Sequence, residues 1–144
     1  MCLKDTAPLS RYTMAHRWSY RTALGEIKRG RKASHWMWYI FPQVIGLGKS
    51  EESRRYAIQS LDEAEAFLRD PYLGEHLREI SNALLDLPGD DPAAVFGSTD
   101  ARKLRSCMTL FAYISEDGSV FHRVLEKYFR GRWDDETLAI IEPR

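Results

Sequence analysis

Residues 70–87 read DPYLGEHLREISNALLDL, and this stretch decides the fold class. Asp70 is a good helix N-cap, and Pro71 follows at the first helical position, where the amide proton that proline lacks is not needed. Leucine and isoleucine then recur at spacings of four and three residues, which aligns them along one helix face: Leu73, Leu77, Ile80, Leu84 and Leu87. The stretch therefore predicts a helix with one buried face.

The two segments nearest the N-terminus carry related signals. Apolar and aromatic residues, with His16 among them, recur at helical spacing over residues 9–27, and Gly30 is expected to end that helix. Residues 33–41 fit a short helix or a strand, because their aromatic residues satisfy both spacings. We expect a short helix, which Pro42 ends.

Capping residues predict where further helices begin. Ser50 is expected to cap a helix over residues 51–59, and Ser60 opens the capping box Ser-Leu-Asp-Glu before another. The run PGDDP at residues 88–92 ends the helix described above, and a short turn that starts there should end at Gly97.

Residues 100–114 predict an amphipathic helix. Its apolar face consists of Leu104, Cys107, Met108, Phe111 and Ile114. Its polar face consists of Arg102, Ser106, Thr109 and Tyr113. Residues 121–128 predict one more helix, whereas ETLAII at residues 136–141 fits a short helix or a strand. We therefore expect an all-α fold, a single compact domain of about five to seven helices over residues 9–144, after a flexible N-terminus at residues 1–8.

Length, charge and cysteine usage exclude several classes of protein. The 144 residues suit one domain, and 21 basic residues balance 21 acidic ones, so no global field attracts extended nucleic acid or an anionic membrane. Cys2 and Cys107 do not make a disulfide framework, and no stretch has the length of a membrane span or the pattern of a signal peptide. We expect a cytoplasmic protein that is neither exported nor bound to membranes.

The segment SHWMWYIFPQVIGLGKS, residues 34–50, is the most unusual in the chain. Gly48, Lys49 and Ser50 match the end of a nucleotide-triphosphate-binding loop, but that loop needs a glycine where this chain has Gln43. We therefore interpret the glycines and Lys49 as a turn that leads into a helix.

Several phrases resemble one known family. They are GRKASHWMWYIFPQVIGLGKS (30–50), RYAIQSLDEAEAFLRDPYLGEHL (55–77), DARKLRSCMTLF (100–111) and VLEKYFRG (124–131). From about residue 9 to residue 141 the chain is similar to the domain-of-unknown-function 1810 family. That resemblance implies a small helical domain and brings no established activity. His16 and Cys107 depart from the glutamine and serine that it implies at these positions.

Two segments carry the candidate ligand residues. Aromatic rings of Trp36 and Trp38 suit stacking on a planar ligand, and the Gln43 amide suits a base edge or a sugar hydroxyl. The alternative for each ring is a place in the core, which a domain of this size needs. The second segment supplies cations and hydroxyls near a helix start, which suit an anion: Lys103, Arg105, Ser106 and Thr109. Ser50 and Tyr56 are further candidate contacts.

These residues predict a pocket between the HWMWYIFPQ segment and the KLRSCMT helix for a small anionic ligand, either nucleotide-like or ADP-ribose-like. If the site is catalytic, we expect hydrolysis or transfer at a glycosidic or phosphate bond, with His35 as the acid–base group and Lys103 as the charge stabiliser. The competing function is a non-enzymatic module that docks a partner protein. No cofactor is expected, and the spacing of the histidines and cysteines predicts no metal site.

Overall fold

The structure, a computed structural model, describes residues 7–142, and the side chains from residue 9 onward. The helices are α1 (Ala7–Lys28), α2 (Met37–Ile40), α3 (Glu51–Arg55), α4 (Leu61–Arg69), α5 (Pro71–Leu85), α6 (Pro92–Tyr113), α7 (Val120–Phe129) and α8 (Asp135–Ile141). The predicted all-α fold is confirmed. Within the described residues, six of these helices have seven residues or more, whereas α2 and α3 are short. Of the predicted flexible segment, residues 1–6 lie outside the described residues, and residues 7 and 8 already begin α1.

Local caps begin most of these helices, as predicted. The Ser60 hydroxyl accepts the Glu63 amide at 3.1 Å, and the Asp70 carboxylate accepts the amides of Tyr72 and Leu73, both at 2.9 Å. Each such bond satisfies an amide that has no partner inside its own helix. No helix among residues 7–142 is long and apolar enough to cross a membrane.

The central helix α5 packs against α1, α4 and α7, while α6 packs against α7 and α8. Leu77, Ile80 and Leu84 are fully buried, which confirms the predicted core face of α5. Cys107 is also fully buried. Its burial raises the pKa of the thiol well above its usual value, so it is a poor nucleophile.

The polar face predicted for α6 is corrected in part. Ser106 is 2% exposed and Thr109 is fully buried, although both belong to the predicted polar face and were expected to contact a ligand. The reason is that α8 packs against this side of α6. The sequence alone did not predict this packing, because residues 136–141 fitted either a short helix or a strand. Helix α6 also bends at Gly97, whose φ of 81° and ψ of 161° divide it into two segments, as the predicted end of the turn at Gly97 implies.

The helix predicted over residues 51–59 ends at Arg55. The chain then extends so that Ile58 forms a parallel bridge with Val44. The Ile58 amide donates to the Gln43 carbonyl at 2.8 Å, and the Ile45 amide donates to the Ile58 carbonyl at 2.9 Å. These bonds fix the loop of residues 43–48, called loop 43–48 below.

The glycine run in this loop leads into α3, as predicted. The Ser50 hydroxyl accepts the Ser53 amide at 3.1 Å and caps the helix. A Cβ atom at Gly48 would lie 2.4 Å from the Cβ of Ser53, so no side chain fits there. Gly48 is therefore required for the close approach of loop and helix.

Candidate functional site

The aromatic segment that follows α1 is anchored by one buried carboxylate. Glu26, near the end of α1, is 3% exposed. It accepts the amides of Ala33 and Ser34 at 2.7 and 2.9 Å, the Ser34 hydroxyl at 2.5 Å and the Trp36 indole N–H at 2.8 Å. Burial disfavours the ionised form, but these four donors outweigh it and hold the pKa of Glu26 at about 2. Ionised Glu26 therefore fixes the path of the chain as it leaves α1.

Asp100 joins this segment to the second half of α6. Its carboxylate oxygens lie 3.0 Å from Lys32 Nζ and 3.3 Å from Lys103 Nζ. Lys103 Nζ in turn lies 5.7 Å from the centroid of the Trp38 ring, which is within the range of a cation–π contact. An acidic residue in the first turn after Gly97 also favours the start of the second helical segment. The two ion pairs of Asp100 hold Lys32 and Lys103 close together. Lys103 is thus brought next to Trp38, although the two residues are distant in the sequence.

A cleft of about 240 Å³ lies between loop 43–48 and the second segment of α6. The loop contributes Gln43, Leu47 and Gly48, and α6 contributes Thr99, Arg102, Lys103, Arg105 and Ser106. Two acids from the start of α8 complete the lining, Asp134 and Glu136. Four residues predicted from the sequence thus share one cleft: Gln43, Lys103, Arg105 and Ser106. Trp38 is not among the lining residues, but its ring centroid lies 5.7 Å from Nζ of Lys103, which is.

The three cationic side chains of the cleft differ in how many hydrogen bonds and ion pairs they form within the protein. Arg105 donates from Nε and Nη2 to the carbonyls of Arg132 and Trp133, at 3.0 and 2.7 Å, and so fixes the connection between α7 and α8. Lys103 is paired with Asp100. Arg102 is exposed and takes part in none of the ion pairs found among residues 7–142. It is therefore the cation of the cleft that is most open to a ligand.

The two hydroxyl residues of α6 serve the fold. Thr109 Oγ1 donates to the Arg105 carbonyl at 2.8 Å and accepts the Asp134 amide at 2.9 Å. Ser106 Oγ lies 2.7 Å from Thr137 Oγ1, which donates its proton to the Asp134 carboxylate at 2.5 Å. The single hydroxyl proton of Thr137 is used in its hydrogen bond to the carboxylate. The Ser106 hydroxyl must therefore be the donor in its hydrogen bond to Thr137. Neither hydroxyl keeps a proton for an anion, and we leave Ser106 and Thr109 out of the proposed contacts.

The other predicted residues lie elsewhere. Trp36 is 1% exposed and is a core residue, since its ring is packed and its N–H is bonded to Glu26. Ser50 caps α3, and the Tyr56 ring packs on Tyr39 with centroids 5.1 Å apart. His35 is exposed and does not line the cleft. These four residues are therefore outside the candidate site.

Three residues that shape the site were not predicted as site residues from the sequence: Glu26, Asp100 and Arg102, of which Arg102 was placed on the polar face of its helix. An acid directly before Ile27 on the edge of an apolar helix face was a usable signal for Glu26. The position of Asp100, just after a helix-breaking glycine, was a weaker one. Nothing in the sequence separates Arg102 from the other exposed arginines, because its availability depends on which cations find partners after folding.

Potential metal ligands do not cluster in the described part of the chain, and His16 is held inside the fold. Within residues 7–142, no group of three or more histidine, cysteine, aspartate or glutamate side chains could hold a metal ion. His16 is 1% exposed and lies 2.9 Å from both the Tyr39 carbonyl oxygen and Nδ1 of His76. His16 is thus a buried residue with both ring nitrogens bonded.

Comparison with known proteins gives the family. Residues 6–141 match the family described as "Protein of unknown function (DUF1810)". The chain belongs to the DUF1810 family. The structure of this DUF1810 domain is similar to the crystal structure of the conserved hypothetical protein Rv1873 from Mycobacterium tuberculosis. That similarity has a TM-score of 0.91 at 39% sequence identity and covers 94% of this chain and 97% of that one. No curated protein matches the chain. Family and fold are therefore established, and neither comparison supplies a ligand or an activity.

Proposed function

We propose that this DUF1810 domain binds a small anionic ligand with a planar part in the cleft between loop 43–48 and α6. One observation carries the proposal: Arg102 and Lys103 line the cleft, and the Nζ atom of Lys103 lies 5.7 Å from the centroid of the half-buried Trp38 ring. The guanidinium and ammonium groups would bind the anion, and the indole face would bind the planar part.

The size of the cleft limits the ligand. About 240 Å³ is below the roughly 300–1,000 Å³ that is typical of sites for drug-sized ligands. A mononucleotide, or one phosphate-bearing end of an ADP-ribose-like compound, suits this volume better than a whole dinucleotide. The planar part would lie at the rim, on Trp38.

The charges of the cleft predict modest affinity. Asp134 and Glu136 offset part of the positive charge, and an incoming anion must compete with Asp100 for Lys103. A singly or doubly charged phosphate therefore fits better than a triphosphate. The amide of Gln43 can donate to a phosphate or sugar oxygen from the opposite side.

Binding without turnover is the function we propose. An acid–base group must come within about 3 Å of the proton that it transfers, and His35 is not a lining residue. Hydrolysis or transfer at a glycosidic or phosphate bond would have to use one of the carboxylates that line the cleft, Asp134 or Glu136, and Asp134 already accepts the amide and the hydroxyl of Thr137.

The test is to titrate the protein with inorganic phosphate, AMP and ADP-ribose. Calorimetry measures the affinity, and the NMR signal of the Trp38 indole reports whether the ligand lies near that ring. We expect AMP to bind and Arg102→Ala to weaken that binding about tenfold or more, because a charge-assisted bond is lost. Arg123→Ala is the matched control, since Arg123 is an exposed arginine on α7, away from the cleft lining. Affinity that is the same in wild type, Arg102→Ala and Lys103→Met would overturn the proposal, as would the absence of binding by all three compounds.

A further inference from the structure

The outer face of α1 carries an apolar surface that the fold leaves uncovered. Trp18 is 84% exposed, and Met14, one helical turn earlier, is 59% exposed. Both lie on the side opposite Tyr12, His16 and Tyr20, which are buried. An indole is among the side chains that contribute most at protein interfaces, so such exposure in the middle of a long helix indicates a contact surface.

This surface is also positively charged. Arg17 directly precedes Trp18, Arg21 follows it by about one helical turn, and both are exposed on the outer side of α1. The helix has one acidic residue, Glu26, and that residue is buried among its four donors. We call Met14, Arg17, Trp18 and Arg21 the α1 knob. A partner for this knob needs an apolar recess and negative charge around it.

A groove elsewhere on the same chain has these properties. It has a volume of about 300 Å³ and lies between loop 43–48, the start of α4 and the end of α8. Its lining is mainly aliphatic, and it includes two isoleucines that are exposed although they are large and apolar, Ile45 at 42% and Ile140 at 40%.

Acidic residues lie around the groove, and among residues 7–142 no lysine or arginine belongs to its lining. Asp62 is part of the lining. Glu136 precedes Ile140 by one turn of α8, and Glu142 follows directly after that helix. Helix α8, Asp135–Ile141, contains no lysine or arginine. The α1 knob and this groove are therefore complementary in both apolar character and charge.

We propose that the chain associates head to tail with a second copy, in which Trp18 of one copy enters the groove of the next. The two surfaces are different, so the contact is heterologous, and each copy keeps one unused knob and one unused groove. Association should therefore continue beyond the dimer as concentration rises, unless the rotation between copies closes a ring. The arginines of the knob and the acids around the groove should make association weaker at high salt. Glu136 lies beside both the groove and the cleft proposed above for a ligand, but neither Trp18 nor Ile140 lines that cleft, so variants at these two residues test the contact separately.

Sedimentation of four samples tests the proposal: wild type, Trp18→Ala, Ile140→Asp, and an equal mixture of these two variants. Both substitutions alter exposed side chains, so the variants should fold, which circular dichroism checks. Wild type should gain mass with concentration from the micromolar to the millimolar range, and each variant alone should stay largely monomeric. The mixture should recover association but stop at the dimer, because only the Trp18 of Ile140→Asp and the groove of Trp18→Ala remain usable. Tyr113→Ala, at another exposed aromatic residue outside both surfaces, should behave as wild type does.

Several results would overturn the proposal. Wild type that stays monomeric at millimolar concentration would do so, as would a mixture of folded variants that does not associate. Association that is lost in Trp18→Ala but unchanged in Ile140→Asp would show that two knobs meet across a twofold axis and that the groove is not the partner. Binding of wild type to anionic vesicles or to nucleic acid, without self-association, would assign the knob to a different partner.

Discussion

The Nδ1 atoms of His16 and His76 lie 2.9 Å apart, where α1 packs against α5. His16 Nε2 lies 2.9 Å from the Tyr39 carbonyl oxygen, which can only accept, so this nitrogen carries the proton of a neutral ring. Nδ1 of His16 must then accept a proton from Nδ1 of His76. The two rings are nearly parallel, at 4°, in agreement with this bond. A proton added to Nδ1 of His16 would meet the Nδ1 proton of His76, so the bond would persist only if His76 changed to its other tautomer.

This pair predicts how stability depends on pH. Burial lowers the pKa of His16 from 6.5 to about 4. Above pH 6.5 neither the folded nor the unfolded state binds the proton, so this group has no effect there. Between about pH 6.5 and 4 the unfolded chain binds it and the folded chain does not, so the free energy of unfolding falls as the pH falls. The loss from His16 should reach roughly 3 kcal/mol at pH 4.

His16→Gln should reduce this slope, because an amide can donate to Tyr39 and accept from His76 but does not titrate. Urea unfolding of wild type and variant at several pH values across the window measures it. Part of the dependence of stability on pH should remain, because burial lowers the pKa of His76 as well. The nearby charges of Glu79 and Glu75 raise that pKa but do not outweigh burial. Equal slopes in both proteins would contradict the predicted role of His16.

Glu26→Gln should destabilise the fold by about 2–4 kcal/mol at neutral pH, because it replaces a buried anion by an amide whose N–H group meets other donors. Urea unfolding measures the loss. Glu75→Gln is the matched control, since Glu75 is exposed on α5, and it should change stability by less than about 0.5 kcal/mol. A loss that is as small in Glu26→Gln would mean that the four hydrogen bonds do not anchor the aromatic segment.

Gly97→Ala should cost about 1–3 kcal/mol through backbone strain alone. At φ 81° a Cβ atom is disfavoured, yet it would meet no other atom within 4 Å. Gly89→Ala is the control, because it also adds a Cβ in open space but at a position without a positive φ, and it should be neutral or slightly stabilising. Thermal unfolding of the two variants compares them, and equal melting temperatures would show that the bend in α6 needs no glycine.

Leu84→Ala should cost about 2–5 kcal/mol, since it opens a cavity at a fully buried position between α5 and its neighbours. Asn82→Ala, on the exposed side of the same helix, should stay within about 0.5 kcal/mol of wild type. Chemical denaturation of both variants measures the difference. A loss below half a kcal/mol for Leu84→Ala would contradict the assigned core face.

The helix starts were readable from the sequence because a cap is a contact between near neighbours. Ser60, Asp70 and Asp91 each accept an amide two or three residues further along the chain. The end of α3 was not readable in this way. The predicted helix was expected to continue to residue 59, but Ile58 instead forms backbone hydrogen bonds with Gln43 and Ile45. These two residues lie in a loop that precedes the helix.

The sequence by itself determined the helical fold, the caps and the core face of α5, because these depend on residue spacing and on neighbours within one turn. It also identified four of the residues that line the cleft. Only the tertiary structure decided which of their groups are available. Packing of α8 against α6 buries Ser106 and Thr109. Arg105 donates hydrogen bonds to the α7–α8 connection, whereas Arg102 remains exposed and without an ion pair among residues 7–142. Such choices depend on partners far away in the chain, whose distances are set by packing and not by sequence spacing.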